Sequence, residues 1–221
     1  MKERQILFSA PMVRALLDGS KTQTRRIVKW QGRKGFPHYF NRAFIDNPAG
    51  VQRLCVPFHH PDDLSTLEGD PAVRHYCPQG DPGDRLWVRE TIELRTMQGN
   101  SFPSPVYSAD GAHVMDGEKK ASNHEFMRRR VRPSIHMPRW ASRITLEITD
   151  VRVERLQDIS EEDAKAEGIE QIGCNWRNYL DGADSMTSPI HSYRTLWESI
   201  NGAGSWDANP WVWCITFRRL P

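Results

Sequence analysis

The chain has 221 residues, 38% of them hydrophobic and 26% charged, with a net charge of +2; this is enough apolar material to fill a core and argues against wholesale disorder. No apolar run approaches the roughly 20 residues of a membrane-spanning helix, and the opening MKERQILFSAPM is too short and too charged for a secretory leader, so a cytoplasmic protein is expected. Four cysteines without a CxxC pair imply no disulfide framework.

In chain order, Ile6–Phe8 predicts a short strand. Ser9 is placed to cap a helix, with Pro11 in its first turn, Val13, Leu16 and Leu17 on its apolar face, and Gly19 as its stop. The segment 21–26, KTQTRR, then reads as extended. Residues 31–79 are irregular and rich in Pro, Gly and His; they read as an insertion packed over a binding face. Pro82-Gly83-Asp84 marks a turn and Arg85–Thr91 a strand. Residues 96–125 read as a second insertion, with loops around a Val106–Ser108 strand. Ile144, Leu146 and Ile148 alternate with Thr145, Glu147 and Thr149, the clearest half-buried strand, which Val151 and Val153 continue. Ser160 and Asp163 form a capping-box-like start to a helix over 161–167 that Gly168 ends. Another helix spans about Ile190–Ile200, with Ile190, Tyr193, Leu196, Trp197 and Ile200 on one side. Trp211–Arg218 is the last strand, with Trp211, Trp213, Ile215 and Phe217 on one face. Short strands, three short helices and long insertions, without regular βαβ alternation, predict a single α+β, mostly β domain: a small barrel with helices at its ends.

Charge is unevenly distributed. Residues 1–35 carry nine Lys/Arg against two acids and residues 128–155 eight Arg against three, which leaves the remainder at −10. Two basic segments that converge would suit an anionic partner, nucleic acid first; two solvated basic faces are the plain alternative.

The densest chemistry is GSKTQTRR, Gly19–Arg26. In an extended chain Lys21, Gln23 and Arg25 face one way and Thr22, Thr24 and Arg26 the other; a bend after the helix would instead bring Lys21 to Thr24. A lysine beside a threonine hydroxyl is a base–nucleophile pair when burial or neighbouring arginines lower the lysine pKa, and the same residues can grip phosphates. Glu167 closes its helix where the dipole disfavours negative charge, a setting that suits a general acid–base. Cys55, His59, His60, His75 and Cys77 follow no familiar zinc spacing and read as scattered loop histidines and small buried cysteines, so no metal is expected. Trp211 and Trp213 read as core, as does Trp87; Trp140, beside Arg139 and Arg143, is the tryptophan best placed to combine base stacking with phosphate contact.

Four blocks, ILFSAPMVRALLDGSKTQTRR, PGDRLWVRET, HMPRWASRITLEITDVRVERLQDISEEDAKAEGI and SWDANPWVWCITFRRL, together resemble the ASCH-domain family, and more closely its longer phage and prophage branch. The resemblance implies a PUA-like β-barrel with a cleft beside the Lys-Thr motif. A short branch of this family comprises N4-acetylcytidine amidohydrolases, which release acetate and cytidine. Residue by residue, its functional groups fall on Lys21, Thr24 and Glu167, and no metal or cofactor is required. RNA binding, a ribonuclease activity and a phage accessory role are also implied for the family. On a binding reading the contacts fall to Thr22, Arg25, Arg26, Arg139, Trp140 and Arg143. The expected partner is a modified nucleoside or RNA, and the insertions at 31–79 and 96–125 are expected to reshape the cleft.

Overall fold

A computed structural model describes residues 1–28, 77–96, 103–114, 129–180 and 185–221. Most of the 31–79 insertion, with Cys55, His59, His60 and His75, lies outside the described residues, as does much of 96–125.

β1 (Glu3–Leu7) is longer than the hydrophobic triplet suggested and ends one residue earlier. α1 (Ala10–Asp18) starts after Ser9, whose backbone takes the N-cap conformation but whose side chain makes no capping bond. Gly19 closes it at φ 85°, a left-handed turn that a Cβ would strain. β2 (Gln23–Ile27) follows. The strand expected over Arg85–Thr91 is β3 (Arg85–Arg89), two residues shorter; β4 (Ile92–Arg95), which lies beyond that range, was not expected. β4 pairs antiparallel with β5 (Ser104–Tyr107) and β6 (Val131–Arg132), so the flank of the second insertion is a three-stranded sheet rather than loops around one strand.

β7 (Thr145–Arg155) contains a feature that simple alternation hides. Ile148 and Val151 are both buried although three residues apart. The partner strand, β11 (Trp211–Arg219), pairs Thr216 with Asp150 but Phe217 with Ile148, so Thr149 is an extra residue on β7. This bulge flips the phase, and the apolar face stays on one side across it. α2 (Glu161–Ala166) starts as expected, the Asp163 N–H donating to Ser160 Oγ at 3.1 Å, and ends one residue early with Glu167 as its C-cap. β8 (Gln171–Ile172), β9 (Asn175–Arg177) and β10 (Ser185–Met186) form a small sheet that the sequence pattern did not suggest. α3 (Pro189–Asn201) buries Tyr193, Leu196 and Trp197 but leaves Ile200 exposed, against the one-sided stripe expected.

The main sheet has the order β1-β3-β7-β11-β2, with β1 parallel to β3 and the other pairs antiparallel. One core gathers Phe8, Val13 and Leu16 against Leu86 and Val88 of β3, Leu146, Ile148, Val151 and Val153 of β7, and Trp211, Trp213, Ile215 and Phe217 of β11. A second core sets Val212 and Cys214 of β11 against Leu156, Ala164 and the buried stripe of α3. β11 is therefore buried on both faces, and Trp211 and Trp213 are core as expected. Trp87 departs from expectation: it is half-buried, with the Arg89 and Arg139 guanidiniums 5.5 and 5.8 Å from its ring.

The described residues are α+β, mostly sheet with three short helices. Among them no ladder joins β1 to β2, so the sheet is open rather than a closed barrel. Its outer strands still approach, with Arg26 of β2 donating to the Leu7 carbonyl of β1 at 2.8 Å. No helix among the described residues is long and apolar enough to cross a membrane.

Candidate active site

Gly19 turns the chain out of α1 and directs Lys21 into the interior. The Lys21 N–H donates to the Ala15 carbonyl and the Thr22 N–H to the Ala166 carbonyl, both at 2.9 Å, so Lys21 forms an isolated antiparallel bridge with Glu167. This backbone contact is what joins two side chains 146 residues apart. Lys21 Nζ donates to Glu167 Oε2 at 3.0 Å, to the Glu167 carbonyl at 2.7 Å and to the Gln23 carbonyl at 2.8 Å. All three ammonium protons are used. The two side chains are 0% and 3% exposed. Burial pushes the Lys21 pKa down; the Glu167 carboxylate opposes that, and Arg26 and Arg25 add to it.

The alternation expected for 21–26 holds within β2 only. Gln23 and Arg25 face the α2 side, opposite Thr216 and Cys214 of β11. Thr24 and Arg26 pair with Ile215 and Trp213 and share their face. Lys21 precedes the strand, and the Lys21 and Arg26 cations lie 5.4 and 5.6 Å from the centre of the same Phe8 ring. The Phe8 ring thus lies near both cations. Thr24 is buried, and the bonds of Lys21 Nζ go to Glu167 and Gln23 rather than to its hydroxyl.

Gly168 carries more than a helix stop. Its φ is +80°, and a Cβ there would stand 2.8 Å from both Ala15 Cβ and Lys21 Cβ. Gly168→Ala is expected to cost about 2–3 kcal/mol through backbone strain and overpacking, seen as a lower urea midpoint. A midpoint equal to wild type would show that α1 and Lys21 yield freely.

The remaining candidate residues are dispersed. Thr22 is exposed. Arg25 has no side-chain exposure, so it is not available to grip a phosphate at the surface. Arg139 is exposed and gives two bonds to Glu3, at 3.0 and 2.7 Å. Trp140 is 44% exposed. Arg143 bonds Glu90 and Asp110 and lies 3.9 Å over the Tyr107 ring. These bonds of Arg139 and Arg143 go to acids other than Glu167. A groove lined by Glu3, Arg4, Gln5, Pro78, Gln79 and Trp87 runs along β1 and includes none of Lys21, Thr24 and Glu167.

Sequence reasoning missed Glu154 and the side chain of Asp163. Both accept from Arg25, and Cys214 Sγ, whose pKa burial pushes up, donates to Glu154 Oε1 at 2.9 Å. The available signal was Glu154 beside inward Val153, an acid on the strand face that receives Arg25.

No protein-family model, curated protein or solved structure matches the chain.

Proposed function

We propose that this chain is a metal-independent amidohydrolase acting on an N4-acylated cytidine-type nucleoside, with Lys21, Thr24 and Glu167 as its reacting groups and a sheet curled in the manner of a PUA-like barrel. The observation that supports it is the Lys21–Glu167 contact at 3.0 Å. These are two of the three residues that the ASCH resemblance singles out, and they meet in the interior, where a lysine gives up its proton more readily.

In this reading Lys21 in its amine form takes the Thr24 hydroxyl proton as the threonine oxygen attacks the acyl carbon. The C–N4 bond breaks, N4 receives that proton from Lys21, and cytidine leaves. Water then cleaves the threonyl ester, giving acetate and free Thr24. Glu167 orients the Lys21 amine and shares its proton. Arg26, on the Thr24 face of the strand, supplies positive charge for the oxyanion. The pair is buried, so turnover on this reading requires the packing over it to admit the nucleoside. A nucleic-acid grip draws less support, because Arg25 is buried and Arg139 and Arg143 are already bonded to acids.

The test is chromatography of N4-acetylcytidine incubated with pure protein. Cytidine and acetate in equal amounts are expected from the wild type. Loss of turnover in Thr24→Ala assigns the attack to Thr24; substantial residual turnover assigns it to water activated by Lys21 and Glu167. No cytidine from folded wild type at high enzyme concentration overturns the proposal.

A further inference from the structure

Glu167 is held at both carboxylate oxygens. Oε2 meets Lys21, and Oε1 accepts from Arg25 Nη1 at 3.3 Å. Arg25 is itself anchored on three elements. Its Nε and Nη2 donate to Glu154 Oε1 on β7 at 3.0 and 2.5 Å, Nη2 to Asp163 Oδ2 on α2 at 2.8 Å, and Nη1 to Gln23 Oε1 on β2 at 2.6 Å. Asp163 ties the network a second time, since its carbonyl accepts the Glu167 N–H at 3.0 Å. Such a set needs the planar fork of a guanidinium; a lysine would bring the charge without the geometry.

We propose that Arg25 is a positioning residue that fixes the Glu167 carboxylate against Lys21 and touches no substrate, an assignment that rests on the amidohydrolase reading of that pair. Its buried side chain, with four protein acceptors, has no surface to offer a ligand. Charge acts in the same direction as geometry. The charged groups that face Lys21 are Glu167 from the end of α2 and Arg25 and Arg26 from β2; the carboxylate favours the ammonium and the guanidiniums oppose it. Arg25→Gln therefore frees one Glu167 oxygen and makes the Lys21 proton harder to remove.

Two measurements test this on Arg25→Gln, Arg25→Lys and Asp163→Asn. The first follows the Lys21 titration by NMR of isotope-labelled lysine with no substrate present. Its midpoint is expected to rise in Arg25→Gln, to stay near wild type in Arg25→Lys, and not to rise in Asp163→Asn. The second is kcat and KM for N4-acetylcytidine across pH. Arg25→Gln is expected to lower kcat about 100-fold at nearly constant KM, with partial recovery in Arg25→Lys. Asp163→Asn, at a partly exposed side chain, is expected to lower kcat about tenfold and carries the test if Arg25→Gln does not fold. A Lys21 midpoint unchanged in Arg25→Gln, or a raised KM at constant kcat in that variant, overturns the proposal; the second result would place Arg25 on the substrate. A wild type that makes no cytidine removes the amidohydrolase reading, and the titration then still decides whether Arg25 governs the pair.

Discussion

Glu167→Gln is expected to lose about 3–5 kcal/mol of stability at neutral pH, because it leaves the buried Lys21 ammonium without its counter-charge. The loss should shrink in alkali. Burial pushes the folded Lys21 pKa below that of an unfolded lysine, about 10.4. Between those two values the unfolded chain binds more protons than the folded one, so stability rises with pH through that window. Removing the Glu167 charge takes away what sustains the ammonium. The folded pKa then drops further and the window extends downward. Urea midpoints at several pH values from about 6 to about 10 would read this as a steeper climb for the variant than for wild type. Parallel profiles would show that Lys21 does not need Glu167 for its charge. On the proposed chemistry the same change lowers cytidine release about 100-fold or more.

Arg143→Met should show the opposite pH signature. Glu90 is 1% exposed, and both its oxygens accept from Arg143 at 2.9 Å. Burial pushes the Glu90 pKa up even with Arg143 in place. Without the guanidinium a buried carboxylate stands alone, at a cost of about 3–5 kcal/mol at neutral pH. A folded pKa above the unfolded value means that the folded state binds more protons. Stability is then fully present below the unfolded pKa, about 4.3, and is lost as pH rises through the folded value. The variant should recover toward acid pH, and Arg143→Met combined with Glu90→Gln should recover much of the loss at neutral pH. Thermal melts of both, against wild type, would check this. A double variant no more stable than the single one would place the cost in the lost stacking on Tyr107.

What could be read from the chain was what neighbours in sequence decide. Gly19 and Gly168 both take positive φ at helix ends, Ser160 receives the Asp163 N–H, and the apolar alternation of β11 holds. The bulge at Thr149 was within reach: the apolar positions pass from even numbers through Ile148 to odd ones from Val151, a break in period two that reading the run as one continuous alternation passed over. The other misses are non-local. The β4–β5–β6 sheet joins segments on both sides of an insertion. For the site, Lys21, Thr24 and Glu167 were singled out by resemblance, and spacing alone did not separate a catalytic pair from a surface one. Arg25 was the hardest to assign. A residue in KTQTRR looks like a surface cation until Glu154, Asp163 and Glu167 arrive from other elements to surround it.

β11 lies between β7 and β2, and this has a consequence during translation. β2 is complete at residue 27, but the strand that pairs with it starts at residue 211. At a synthesis rate of about 5–20 residues per second, the ribosome takes roughly 10–40 s to deliver it. For that interval the nascent chain carries β2 with its ladder unmade. The β7–β11–β2 side of the sheet is therefore completed only when β11 emerges, since the ladders on both of its edges wait for that one strand.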